Sequence, residues 1–129
     1  MSGTRTRVLV ALAASVLLVV VLSAGAEASV PGRGTTTIIR GVGSYYSSPH
    51  WSPIVTRIAH GTTIEWLAVT NHHRIAAYGG NWTYNRVLPT GAHVDRRFAA
   101  RGTFLFRCLI HSSLLNGVCQ GMCGKIIVH

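Results

Sequence analysis

Acidic residues are scarce in this chain of 129 amino acids, which has three (Glu27, Glu65 and Asp95) against twelve lysines and arginines. Reactions that need a pair of carboxylates, as in glycosidases and aspartic proteases, are therefore excluded, because the chain can barely supply such a pair. Charged residues make up 12% of the sequence, far below the roughly 25% of an average soluble domain. The length leaves room for one domain.

The shortage of acids leaves a formal net charge of +9. The basic residues are spread singly along the chain, and Arg96 and Arg97 are the adjacent pair. A diffuse positive charge favours acidic partners or anionic surfaces through its field. It does not form the concentrated basic stripe of a nucleic-acid groove, so we expect no nucleic-acid binding.

Charge is also absent from the apolar run between Val8 and Ala26, which follows Arg5 and Arg7. Small residues after the run offer cleavage sites behind Ala26 or Ala28. This order predicts a secretory signal peptide over residues 1–28 and an exported domain over residues 29–129, secreted, periplasmic or held at the cell envelope. An uncleaved membrane anchor is the alternative, because the run is long enough to span a bilayer.

Helical periodicity is lacking beyond that leader. Short β-branched and aromatic runs, divided by glycine and proline, instead predict strands at 35–40, 54–58, 62–69, 74–77, 93–98, 103–108 and 125–129. Strands of this length and spacing are typical of an all-β fold, and we predict a Greek-key β-sandwich of about seven to eight strands.

Three cysteines, Cys108, Cys119 and Cys123, cannot all pair in an exported protein, so one is left for other chemistry. His111 follows Cys108 by three residues, and Met122 is the one methionine after the leader. A histidine pair, His72 and His73, lies upstream. Thiolate, imidazole and thioether together form the ligand set of copper that alternates between two oxidation states.

Several segments carry a resemblance to one family when they are taken in order. They are GTTIEW at 61–66, HRI at 73–75, LPTG at 88–91, GTFLFRCLIH at 102–111 and GMCGKIIV at 121–128. As a set they resemble the cupredoxins, the plastocyanin- and azurin-like blue copper proteins, over residues 35–129.

The resemblance implies one copper ion, cycling between Cu(I) and Cu(II), with His73, Cys108, His111 and Met122 as ligands. It also implies an electron carrier rather than an enzyme, working as a monomer with a redox protein partner that is acidic or membrane-associated. His73 is preferred to His72 because neighbouring strand residues face opposite ways, although a bulge near Asn71 would reverse that choice.

The chain departs from the family pattern in two places. Ten residues separate His111 from Met122, where the family has a few, and we expect the extra stretch 113–120 to bulge over the site. Cys119 and Cys123 bracket Met122. They either form a disulfide that leaves Cys108 free for metal, or they act as thiolates in a binuclear copper centre.

Two other functions fit parts of the same sequence. A metal-free β-sandwich, held by a disulfide and binding an acidic surface, would explain the basic charge. A copper storage or delivery protein would use the same four ligands and release the ion.

Overall fold

The computed structural model describes residues 34–44 and 46–129. The predicted signal peptide and its cleavage sites lie outside the described residues. Among the residues described, no helix is long and apolar enough to cross a membrane.

Residues 34–44 and 46–129 contain nine strands, which form two sheets. They are β1 (Thr36–Ser44), β2 (Ser47–Ser52), β3 (Val55–Ile58), β4 (Thr63–Ala68), β5 (His73–Tyr78), β6 (Asn85–Leu88), β7 (His93–Arg97), β8 (Gly102–Leu115) and β9 (Val118–Val128). One sheet has the order β2-β1-β4-β7 and the other the order β3-β9-β8-β5-β6. The predicted all-β sandwich is confirmed.

Two strands have no counterpart in the sequence prediction. β2 reads SSPHWS and β6 reads NRVL, so serine, proline and asparagine hide the strand signal that β-branched residues give elsewhere. Both strands lie at the edge of a sheet, where proline and polar side chains are tolerated because one side of the strand is not paired.

The core lies between the two sheets and is built by alternation along the strands. In β4, Ile64, Trp66 and Ala68 are buried while the residues between them are partly exposed. In β8, Phe104, Phe106 and Cys108 follow the same two-residue period. Cys108 thus continues the row of inward-facing core side chains.

β8 and β9 continue past the core as a two-stranded hairpin. Ser113 pairs with Gln120, and Leu115 pairs with Val118. Asn116 and Gly117 form its turn with φ of 52° and 77°, the conformation that an Asn-Gly turn favours between antiparallel strands. The stretch 113–120, which we expected to bulge over the site, is therefore a regular hairpin of paired strand and turn.

Candidate metal centre

A break in the β8–β9 ladder brings Cys108 and His111 to one side of the sheet. Arg107 pairs with Cys123 and Ser112 pairs with Gly121, so residues 108–111 of β8 oppose Met122 alone on β9. In a regular strand, residues three apart face opposite ways. The extra residues in β8 form a bulge, and it turns His111 back towards Cys108.

Three donor atoms converge at this bulge. Cys108 Sγ lies 3.5 Å from His111 Nδ1 and 3.7 Å from His73 Nδ1, and the two Nδ1 atoms are 3.3 Å apart. The point equidistant from all three atoms is about 2.0 Å from each, close to the roughly 2.0–2.3 Å of nitrogen and sulfur bonds to zinc-sized ions. One metal ion fits between them.

His73 is oriented by the loop before β5. Its Nε2 donates to the carbonyl oxygen of Thr70 at 2.9 Å, which leaves the lone pair on Nδ1 and directs it at Cys108. A hydrogen bond from the second ring nitrogen to a backbone carbonyl fixes the tautomer of a histidine that binds a metal. The loop is itself held by β1, because Thr70 Oγ1 and Asn71 Nδ2 both donate to the carbonyl oxygen of Gly43.

The site needs a glycine at position 41. A Cβ atom there would lie 2.7 Å from His73 Cδ2 and 3.1 Å from Trp51 Cζ3, closer than carbon atoms approach without displacement. Trp51 packs against the His73 ring with centroids 5.4 Å apart. Gly41 on β1 and Trp51 on β2 therefore fix the position of the imidazole from the opposite sheet.

Both imidazoles have a lowered pKa. Burial disfavours the charged ring and lowers the pKa of His73 below its ordinary value of 6.5, although the hydrogen bond to Thr70 opposes the shift. Burial also lowers the pKa of His111, and the nearby His72 adds to the effect. The lowered pKa values favour the neutral form of both rings, which is the form that binds a metal.

Cys108 is fully buried and is not part of a disulfide. The backbone N–H of Arg74 points at its sulfur at 3.5 Å, and such a donor stabilises negative charge on a thiolate. Ser112 Oγ donates to the carbonyl oxygen of Cys108 at 2.5 Å, which closes the bulge around the thiol.

Met122 is fully buried and belongs to the same core cluster as Cys108. Its position opposite residues 108–111 in the ladder puts it beside the three donors. Gly121 precedes it with φ of 93°, and a Cβ atom there would collide with the carbonyl oxygen of His111. A glycine before Met122 thus lets the two ligand-bearing strands approach closely.

The other candidate residues lie outside the cluster. His72 is exposed beside Pro49, Asn71 and His111 on the surface. Asn71 has φ of 58°, and the chain still enters β5 with His73, not His72, facing inward. Cys119 and Cys123 form a disulfide with Cα atoms 6.1 Å apart, so their sulfur atoms are not available as thiolates for a binuclear centre.

The donor set matches copper. Two imidazoles and one thiolate in a trigonal plane, with a thioether nearby, form the arrangement of blue-copper electron-transfer sites. Thr70, Gly41 and Trp51 were not identified from the sequence. The carbonyl of Thr70 leaves no trace in the side-chain pattern, and the roles of Gly41 and Trp51 depend on contacts between strands that the sequence does not place.

Thiol counting tests the cysteine assignment. We expect the metal-free, unreduced protein to show one thiol, Cys108, which reacts with Ellman's reagent slowly when folded and fully in denaturant, because its side chain is buried. After reduction the count rises to three. Three reactive thiols without reduction would contradict the disulfide.

No protein-family model matches this sequence, and no curated protein matches it. Solved structures do. A purple cupredoxin from Nitrosopumilus maritimus is 21% identical over 74% of this chain and 99% of its own, with a TM-score of 0.53. A pseudoazurin from Methylobacterium extorquens is 16% identical over 72% of this chain and 74% of its own, with a TM-score of 0.55.

A copper-containing nitrite reductase from Thermus scotoductus is also similar, with 21% identity over 74% of this chain and a TM-score of 0.55. The chain spans 22% of the length of that protein. At these identities the likeness establishes architecture, and the architecture agrees with the sequence motifs: the chain has the cupredoxin fold.

Proposed function

We propose that this protein is an exported blue-copper electron carrier that binds one copper ion through His73, Cys108, His111 and Met122. The observation that carries the proposal is the triangle of donor atoms, with sides of 3.3, 3.5 and 3.7 Å, buried at the end of a β-sandwich. Bound there, copper supplies a one-electron couple between Cu(I) and Cu(II).

The protein's part is to hold the ligands in one arrangement for both oxidation states. His73 and Cys108 are fully buried on adjacent strands β5 and β8, where Ile75 pairs directly with Cys108. Ligands fixed by strand pairing move little when the charge on the metal changes. Preorganisation of this kind lowers the rearrangement that accompanies electron transfer.

His111 is the ligand nearest the surface. Its side chain is half-buried, whereas His73, Cys108 and Met122 are fully buried, so an electron that enters or leaves by the shortest path crosses the His111 ring. Ile110, Leu114 and Leu115 are 47%, 42% and 64% exposed, and together with Leu109 they are the apolar rim that we propose a redox partner meets at this end.

The proposal includes no catalysis, since four protein ligands around one ion leave no open position for a substrate. It also includes export, through the predicted signal peptide, and a monomeric carrier whose partner is acidic or membrane-associated. Residues 29–129 keep ten of the twelve basic residues and two of the three acidic ones. This positive charge supports an acidic partner, because complementary charge accelerates encounter.

The alternatives are less well supported. A metal-free sandwich gives no reason for the buried Cys108 thiol, the buried His73 imidazole and the half-buried His111 imidazole to meet at one point, because the two buried groups lose their hydration there. The binuclear centre is opposed by the disulfide. Storage or delivery would use the same donors, and a copper competition assay distinguishes it, because a carrier keeps its ion against a chelator that strips a delivery protein.

Copper loading tests the proposal directly. We expect the protein to turn intensely blue or green with Cu(II), through thiolate-to-copper charge transfer, and Cys108→Ser to remove the colour. His73→Ala is expected to lose most of the affinity, and His72→Ala, its exposed neighbour, is the matched control that stays coloured. A folded, loaded and colourless protein would rule out the carrier.

Substitution of Met122 tests the fourth ligand. A weak axial ligand tunes the reduction potential while the other three hold the ion. We expect Met122→Gln to keep copper with an altered spectrum and a lower potential, because an amide oxygen favours Cu(II), and Met122→Leu to raise the potential. If neither variant shifts the spectrum or the potential, Met122 is a core residue and no ligand.

Gly41→Ala tests the support of His73 from the opposite sheet. The new methyl group would displace the imidazole and weaken its hydrogen bond to Thr70. Loss of such support lowers metal affinity by about 10–100-fold. Copper titration of Gly41→Ala is compared with Gly34→Ala, whose Cβ would come no closer than 3.6 Å to a neighbouring atom; equal affinities would contradict the role of Gly41.

A further inference from the structure

A cleft lies where the edge strands β6 and β7 of the two sheets meet, away from His111. Its volume is about 480 Å³, and it is lined by Ala77, Trp82, Thr83, Tyr84, Asn85, Arg86 and Arg96. We name it the Arg86–Arg96 cleft. Sites for small ligands have volumes of about 300–1,000 Å³, so the cleft is large enough for a compact molecule.

The two arginines of the cleft share one aromatic ring. Arg86 Cζ lies 5.5 Å and Arg96 Cζ 5.9 Å from the centre of Tyr84. Arg86 Nη1 donates to the carbonyl oxygen of Asn85 at 2.9 Å, and Arg96 Nη1 donates to that of Thr83 at 3.4 Å. Most of the donors on both guanidinium groups are thus left for a ligand.

No carboxylate contacts either guanidinium within the part of the chain that the structure describes. Asp95 is next to Arg96 in β7, and its negative charge adds to burial in raising the pKa of Tyr84, whose hydroxyl donates to the Asp95 carbonyl oxygen. Among the described residues no ion pair joins Asp95 to either arginine, so the cleft presents two forks of N–H donors, and this pattern recognises a compact anion.

A column of rings runs from the cleft to the candidate metal centre. Tyr84 packs on Trp66 at 5.3 Å, Trp66 on Phe106 at 5.5 Å, Phe106 on Trp51 at 5.5 Å, and Trp51 on the imidazole of His73 at 5.4 Å between centroids. Each ring is in contact with the next. The π systems thus form an unbroken chain between Tyr84, at the surface, and a proposed copper ligand.

The two tryptophans of the column are costly for stability. Among the described residues, neither Trp51 Nε1 nor Trp66 Nε1 has a hydrogen-bond partner, and both side chains are fully buried. A buried donor without a partner opposes folding. The packing of both indole rings in the core offsets this cost.

We propose that the Arg86–Arg96 cleft binds a small anionic electron donor and that the ring column conducts its electron to the metal centre, as a second port separate from His111. This inference rests on the proposed function. In the step the donor loses one electron, Cu(II) becomes Cu(I), no bond forms or breaks, and no proton moves.

The first measurement uses the metal-free protein and hexacyanoferrate(II) as the anionic probe. We expect binding in calorimetry, with NMR shifts at Tyr84 and the two arginines, and about three- to tenfold weaker binding in Arg86→Gln/Arg96→Gln, as expected for exposed charge pairs. Arg57→Gln removes a charge from β3, at the opposite edge of the same sheet as β6, and is expected to bind like the parent.

The second measurement is the rate of copper reduction in stopped flow. We expect Arg86→Gln/Arg96→Gln to slow reduction by hexacyanoferrate(II) and to leave reduction by the cation hexaammineruthenium(II) unslowed. At saturating hexacyanoferrate(II), Tyr84→Leu is expected to lower the limiting rate constant, whereas Tyr84→Phe, which keeps the ring, is expected to retain it.

Two outcomes overturn the inference, and a third refutes the proposed function on which it rests. Unchanged anion binding in the double arginine variant means that the anion binds elsewhere. Weakened binding with an unchanged limiting rate in Tyr84→Leu means that the cleft holds anions but the column carries no electron. A protein that never turns blue refutes the proposed function instead, and the metal-free binding measurement still tests the cleft.

Discussion

The break in pairing between β8 and β9 is the constraint on which the site depends. Without the extra residues at 108–111, Cys108 and His111 would lie on opposite faces of one strand and could not share an ion. The break is itself maintained from both sides, by Ser112 bonding back to the Cys108 carbonyl and by Gly121 admitting the His111 backbone. Beyond it the ladder resumes as the hairpin, and the disulfide between Cys119 and Cys123 spans the return of β9 to the core.

Burial of the donors sets the chemistry that they can perform. A thiol and an imidazole with no exposed surface lose their hydration on folding, and this burial is the largest cause of the lowered pKa of His73. The loss is offset where each group has a partner, as Thr70 provides for His73 and the Arg74 amide for Cys108. A positive ion placed among the three donors would offset the rest of the lost hydration, because it binds the lone pairs that have no hydrogen-bond donor. The cluster is therefore interpreted as a metal site and not as an ordinary part of the core.

Much of this architecture follows from the sequence, because the period-two pattern of β4 and β8 is strong and the order of Cys108, His111 and Met122 is specific. The choice of His73 over His72 rested on strand alternation and agrees with the burial of His73 in the structure. The features that the sequence does not predict depend on pairing and packing between strands that are distant in the chain. The expectation of a bulge over 113–120 follows from the extra length between His111 and Met122, which does not show that the stretch pairs with itself across the turn at Asn116 and Gly117. The contacts of Gly41 and Trp51 with His73 exist only once β1 and β2 face β5.

The same long-range packing also gives the molecule two different ends. Near His111 the surface is apolar, with Ile110, Leu114 and Leu115 exposed, and suits contact with a protein. At the Arg86–Arg96 cleft the surface is cationic and concave, and suits a small anion. Aromatic rings connect both surfaces to the donor triangle. At the apolar surface the connection is the His111 ring itself. At the cleft it is the column Tyr84, Trp66, Phe106 and Trp51, which ends at His73. His73 and His111 approach the same sulfur atom, Cys108 Sγ, at 3.7 and 3.5 Å. The carrier that we propose therefore receives an electron at one surface and delivers it at another.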